Sequence, residues 1–179
     1  MSRIIYILFF IFITSHNSFS AENKSSELLV EFDGICVQNI NNLQRIKDNA
    51  KVLKWKDIPK EMESLVAPTK KGNGYAMWAI DKGNNTFNLV GVNDSDNVNS
   101  CTLVSMGSKI DEVHALLKKN YKLKLEYKDL KNGAQEYWIY KIDILNADNT
   151  FLFLTFAKDN INYPYLNMTL FSNFLPEKR

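Results

Sequence analysis

The stretch Thr150-Phe151-Leu152-Phe153-Leu154-Thr155-Phe156-Ala157 is apolar or β-branched at nearly every position. Such residues favour β-strands. When both alternating sets of side chains are apolar, both faces of the strand are normally buried. Polar turn residues, Asp148-Asn149 before the stretch and Asp159-Asn160 after it, mark its ends. We therefore predict a central strand over 150–157, with other strands paired on each side of it.

The sequence around this strand contains further strand signals. Asn132-Gly133 is typical of a tight hairpin turn and lies between two β-rich segments. The polar residues 82–85 separate two more such segments. The additional predicted strands cover residues 74–81, 86–92, 99–105, 122–130, 134–144 and 163–172.

Three segments have the pattern of amphipathic helices. The first has apolar residues at steps of three or four, with Ser25-Ser26 as N-cap candidates and Gly34 as a point for close packing. A short helix is predicted over 57–65, and another begins at the N-cap candidate Ser108. The apolar positions of the first helix are Leu29, Phe32, Cys36, Ile40, Leu43 and Ile46.

The predicted element order is α-α-βββ-α-ββββ. This order favours an α+β fold, in which an antiparallel, curved sheet of about seven strands has helices packed on one face. No internal segment is rich enough in Pro, Gly or Ser to separate two domains.

The N-terminus has the layout of a secretory signal peptide. Arg3 precedes the apolar run 4–13, and Ser20-Ala21 supplies small residues for cleavage. The run is shorter than the roughly 20 residues that a membrane-spanning helix needs. We expect residues 1–21 to be removed, leaving residues 22–179 as one periplasmic or secreted domain without a membrane span. An uncleaved signal anchor is the alternative.

Cys36 and Cys101 are the two cysteines of the chain. In an exported protein a pair of cysteines favours one disulfide. Cys36 lies on the apolar stripe of the first helix, and Cys101 lies in a predicted strand, so the helix could pack on the sheet and bring them together. Two buried free thiols or a reactive thiol are the alternatives.

The composition excludes several kinds of site. The net charge of +2 gives no basic excess for a dedicated nucleic-acid binder. Outside the predicted signal peptide the single histidine is His114, so a zinc site with several histidines is excluded. His114 flanks an apolar helical stripe, which favours a partly buried structural role over that of a general base. We predict no catalytic residues, no metal site and no cofactor.

One predicted strand is rich in aromatic residues. Tyr137, Trp138 and Tyr140 lie close together in it, with Tyr137 on one face and Trp138 and Tyr140 on the other. Exposed tyrosine and tryptophan are typical of protein-binding surfaces, so these three residues are the candidate interaction surface. Ordinary packing in the core is the alternative.

Residues 30–120 contain a layout that resembles small exported proteins of Gram-negative bacteria with no assigned activity. The shared features are Cys36 in the first helix, Trp55 and Pro59 downstream, Trp78 in a strand, and Cys101-Thr102-Leu103-Val104 before a helix. This resemblance implies a disulfide-linked periplasmic domain and supplies no functional residues.

These features together favour an exported, non-enzymatic protein that binds another protein as an inhibitor, an immunity protein or an accessory part of an envelope assembly. A carrier of small apolar ligands is the first alternative. An enzyme with an unrecognised carboxylate site is the second. The sequence does not indicate an oligomeric state.

Overall fold

This structure is a computed structural model, and it describes residues 16–66, 74–84, 86–95, 98–129, 135–145, 147–157 and 165–173. One antiparallel sheet of seven strands is the centre of the fold, with the spatial order β1-β2-β3-β7-β6-β5-β4. The strands are β1 (Ala76–Gly83), β2 (Thr86–Ser95), β3 (Val98–Met106), β4 (Leu123–Asp129), β5 (Gln135–Ile142), β6 (Phe151–Ala157) and β7 (Tyr165–Ser172). All seven predicted strands are confirmed, and β6 lies in the interior of the sheet as expected.

Three helices cover one face of this sheet. They are α1 (His16–Ile35), α2 (Leu43–Val52) and α4 (Ile110–Asn120). Their apolar stripes meet the inward side chains of all the interior strands in one large core. Completely or almost completely buried members of this core include Phe32, Ile46, Leu103, Val113, Leu117, Leu154 and Met168. The predicted α+β class and element order are confirmed, and the curved sheet stays open, with β1 and β4 at its edges.

The first predicted helical stripe forms two helices rather than one. The side-chain amide of Asn39 donates to the carbonyl oxygens of Gly34 at 2.8 Å and Ile35 at 3.0 Å, which satisfies the end of α1. The side chain of Asn42 then accepts from the backbone N–H of Arg45 and begins α2. The expectation of close packing at Gly34 is wrong, because Gly34 is exposed and nothing lies within 4 Å of the position of a Cβ atom there.

Two predicted N-caps have other roles. Because α1 covers His16–Ile35, Ser25 lies inside the helix. Its hydroxyl donates to Oε2 of Glu112 on α4 at 2.9 Å. Ser108 is buried with its hydroxyl 2.9 Å from that of Ser105, and the N-cap position of α4 is Lys109. Both serines therefore tie elements together instead of beginning helices.

A short segment packs on the opposite face of the sheet. It contains a 3₁₀ turn at Lys60–Met62 and the four-residue helix α3 (Glu63–Val66). Ile58 and Val66 contact a second apolar cluster that includes Leu89. A Cβ atom at Gly91 would lie 3.2 Å from the backbone oxygen of Val66, so the glycine permits this close approach. The segment covers β1, β2 and β3 on this side.

The predicted disulfide is present. Cys36 directly follows α1 and Cys101 lies in β3, and their Cα atoms are 5.3 Å apart. Both residues are completely buried. The bond therefore joins the end of the first helix to the middle of the sheet.

Residues 1–15 of the predicted signal segment lie outside the described residues, and residues 16–21 belong to α1. Cleavage after Ala21 stays a prediction. In the part of the chain that the structure describes, no helix has the length and apolar character needed to cross a membrane.

Candidate functional site

The face of the sheet that carries α3 is divided into two parts. The apolar cluster formed by the α3 segment extends over β1–β3 and reaches Tyr165 of β7. Beyond it, β4, β5, β6 and β7 present mainly aromatic and apolar side chains on the same side. We call this part the aromatic face. It is defined by Tyr127, Tyr137, Ile139, Phe153 and Phe171, which the strand registers place on one side of the sheet.

Two tyrosines of the aromatic face are strongly exposed. Tyr127 on the edge strand β4 is 49% exposed, and Tyr137 on β5 is 45% exposed. The hydroxyl of Tyr127 donates to Oδ2 of Asp129 at 3.3 Å, and that of Tyr137 donates to Oε1 of Gln135 at 2.6 Å. These bonds hold both phenol rings against the strands. Exposed aromatic rings with a polar tip are common anchors in protein interfaces.

A row of polar side chains lies in the middle of the sheet face, beside the part covered by α3. The hydroxyl of Thr169 donates to Oδ1 of Asn167 at 2.9 Å. Since that hydroxyl has a single proton, it must accept from Thr102, whose oxygen lies 2.9 Å away. Phe153 and Phe171 pack together next to this row, with ring centroids 4.6 Å apart. The face therefore combines apolar surface with groups that form hydrogen bonds, as interfaces do.

The three aromatic residues predicted as an interaction surface lie on two sides of the sheet. Tyr137 lies on the aromatic face. Trp138 is 9% exposed and Tyr140 is 5% exposed, because the alternation of β5 points both toward the helices, where α4 covers them. These two residues are part of the core and are not available to a partner in the folded protein.

His114 of α4 contacts both buried aromatic residues. Its Nε2 atom lies 2.8 Å from the hydroxyl oxygen of Tyr140, and its ring centroid lies 4.7 Å from that of Trp138. Burial, with smaller effects from Lys118 and Lys128, lowers the pKa of His114 below its ordinary value, while Asp111 opposes this shift. Burial raises the pKa of Tyr140. A neutral imidazole and a neutral phenol thus share a hydrogen bond, which fits the structural role predicted for His114.

A run of lysines lies at the end of α4 and along the edge strand β4. Residues 118–128 contain five lysines and one glutamate, and all five lysines are exposed. Lys124 pairs with Glu126 at 2.9 Å. We call this group the basic margin, and it consists of Lys118, Lys119, Lys122, Lys124 and Lys128. Sequence reasoning missed it because the net charge of the whole chain is only +2, although the local density of lysines was a readable signal.

The clefts of the molecule are lined by both polar and apolar side chains. One lies between α1 and the hairpin of β1 and β2, and Lys24, Lys82 and Asn88 contribute to its lining. Glu31 accepts hydrogen bonds from both Lys82 and Asn88 there. Among the described residues no group of three or more His, Cys, Asp or Glu side chains is arranged to hold a metal ion. Asp94 of β2 pairs with Lys47 at 3.3 Å.

Comparison with known proteins gives no relative for this chain. No family model matches it, no curated protein matches it, and no solved structure matches it. The resemblance to small exported bacterial proteins therefore stays an expectation. The residues and their geometry are the basis for a functional proposal.

Proposed function

We propose that this protein is exported and acts outside the cytoplasm by binding another protein through its aromatic face. The observation that carries this proposal is the exposure of Tyr127 and Tyr137, at diagonal positions on neighbouring strands, on the part of the sheet face beyond the α3 cluster. An inhibitor, an immunity protein or an accessory part of an envelope assembly would each use such a surface.

Two observations support export. A disulfide between Cys36 and Cys101 is stable in the oxidising compartments outside the cytoplasm and is rare inside it. The charged, apolar and small-residue layout of residues 1–21 is typical of a signal peptide. These two features are independent of each other and favour the same location.

The chemistry of the aromatic face supports protein binding over other roles. Tyrosine contributes a large contact area with few rotatable bonds, so its ordering on binding costs little entropy. The neighbouring Thr169 and Asn167 add partly exposed polar groups in the middle of the sheet. A carrier of apolar ligands would need an empty apolar interior, whereas side chains such as Phe32 and Leu117 fill the space between the helices and the sheet.

Affinity capture from the native envelope fraction, followed by mass spectrometry, tests this proposal. The wild-type chain should retain one dominant protein in a stoichiometric amount. The variant Y127A/Y137A should lose it. The variant V30A/V52A is a matched control, because Val30 and Val52 are 70% and 78% exposed on α1 and α2, away from the aromatic face. A small molecule in place of a protein, or equal capture by both variants, would contradict the proposal.

A further inference from the structure

We infer that the partner presents an acidic segment to the basic margin, so that the lysines beside β4 select and orient it. This inference rests on the proposed function and names the chemistry of the partner. It is based on the position of the basic margin, which continues from the end of α4 along the edge strand that carries Tyr127.

The basic margin is one of two strongly basic segments of the chain. The other, residues 45–60, also has a net charge of +4, but Lys47, Lys51 and Lys56 there each pair with an aspartate. Residues 118–128 carry a net charge of +4, from five lysines and one glutamate, while the whole chain carries +2. The rest of the chain is therefore slightly acidic. Among the described residues Lys124 alone of the five has a carboxylate within 4.0 Å, namely that of Glu126. Of the other four, Lys128 lies over the ring of Trp138, with its Nζ atom 4.5 Å from the ring centroid. Lys118, Lys119 and Lys122 are exposed cations without an ion pair in the part of the chain that the structure describes.

Local structural roles account for only part of this charge. Lys118 and Lys119 lie in the last turn of α4, where cations interact favourably with the helix dipole. Lys128 is opposite Trp138 and packs over its ring, on the helix side of β4. Lys122 and Lys124 lie beyond the helix, and Lys124 has Lys141 as its cross-strand neighbour on β5. Like charges on opposed strand positions are destabilising. An acidic partner would reduce this repulsion. Its negative charge would complement the positive charge of the lysines.

The same charges disfavour two other occupants. A second copy of the chain would bring one basic margin against another, and like charges suppress such pairing. An anionic membrane would attract the lysines, but Glu126 and Asp129 alternate with them on β4. The exposed aromatic residues here are tyrosines whose hydroxyls have hydrogen-bond partners on the same strands. Lysines that alternate with carboxylates match the mixed charges of a protein surface better than the uniformly negative charges of anionic lipid headgroups.

Zero-length carbodiimide crosslinking in the envelope fraction tests this inference, because it joins a lysine directly to a carboxylate in contact with it. The full chain should become linked through Lys122 or Lys124 to Asp or Glu residues of the captured partner. Capture by K122E/K124E should fall at least about tenfold, and wild-type capture should fall between about 10 mM and about 1 M salt, where the Debye length shrinks from about 30 Å to about 3 Å. The variant K51E/K60E has the same charge change at two exposed lysines elsewhere and should bind like the wild type.

The outcomes separate this inference from the proposed function. If capture depends on Tyr127 and Tyr137 but not on the charge reversals, the partner is not acidic at this site, and protein binding still stands. If the wild type captures no protein, both proposals fail. If the material bound through the basic margin is lipid, the inference is overturned.

Discussion

The hydroxyl oxygen of Tyr140 on β5 lies 2.8 Å from Nε2 of His114 on α4. This hydrogen bond joins the third long helix to the sheet at the side of the core nearest the basic margin. The side chains of the aromatic strand β5 have two roles, one on each face of the sheet. Trp138 and Tyr140 hold α4, and Tyr137, on the other side of the same strand, is available at the surface.

The contact between His114 and Tyr140 predicts a pH dependence of stability. Burial is the main cause of the lowered pKa of His114, with contributions from Lys118 and Lys128 and an opposing effect of Asp111. The folded-state pKa is below the unfolded value of about 6.5, so the unfolded chain takes up the proton first as the pH falls. The free energy of unfolding should therefore decrease below about pH 6.5, until the pH passes the folded-state pKa. No such effect of this histidine is expected above pH 6.5.

Urea denaturation between about pH 7 and pH 5, in parallel with NMR titration of the imidazole, measures this dependence. His114→Gln should flatten the slope in that window. Lys128→Met should raise the pKa of His114, because it removes one of the positive charges that disfavour protonation. An unchanged slope in His114→Gln would assign the pH dependence to other groups.

The division of β5 predicts that substitutions at neighbouring positions change the free energy of unfolding by very different amounts. Trp138→Ala should lower the free energy of unfolding by about 3–5 kcal/mol, because it removes a large buried side chain. Tyr140→Phe should cost about 1 kcal/mol through the loss of the hydrogen bond to His114. Tyr137→Ala should change stability by no more than about 0.5 kcal/mol. Denaturation curves check this order, and a Tyr137→Ala variant as unstable as Trp138→Ala would contradict the assignment of faces.

Much of the fold follows from local sequence patterns, because strands and turns depend on neighbouring residues. The continuous apolar and β-branched run of β6 and turn signals such as Asn132-Gly133 were sufficient to predict the strands. The division of the first helical stripe was missed, because it depends on the side chains of Asn39 and Asn42 bonding to the helix ends. A spacing pattern contains no information on such capping bonds.

The candidate surface was predicted only in part. Alternation showed that Tyr137 and Trp138 point to opposite faces, but it could not show which face α4 covers. That choice depends on long-range packing, including the contact of His114 with Trp138. The exposure of Tyr127 likewise follows from the position of β4 at the edge of the sheet, which is a property of the topology.

The surroundings of Gly34 and Gly91 predict that substitutions at these two positions change the stability in opposite directions. Gly34 is exposed, and a Cβ atom there would meet nothing within 4 Å, so Gly34→Ala should stabilise α1 by up to about 1 kcal/mol. Gly91→Val should destabilise the protein by about 1–3 kcal/mol, because its side chain would collide with the backbone of Val66. Thermal unfolding of both variants measures the difference. Equal effects would show that α3 does not pack closely on β2.

The disulfide predicts a large loss of stability on removal. The bond between Cys36 and Cys101 spans 65 positions, and closing a loop of that size stabilises a fold by about 4 kcal/mol in the chain-entropy model. The double variant C36A/C101A should lose about this much in denaturant unfolding. The wild-type chain with reductant should show a similar loss once the bond opens. A wild-type protein whose stability is unaffected by reductant after complete reduction would contradict this role.

The central claim is that the aromatic face contacts a protein partner, and site-specific photocrosslinking in living cells tests it most directly. A photoreactive phenylalanine analogue at position 137 keeps an aromatic ring on the face, and the same analogue at position 52 on α2 is the control. We predict that position 137 forms a crosslink to one protein of the envelope and that position 52 does not. Crosslinks at position 52 to the same protein, or no protein crosslink at position 137, would contradict the account.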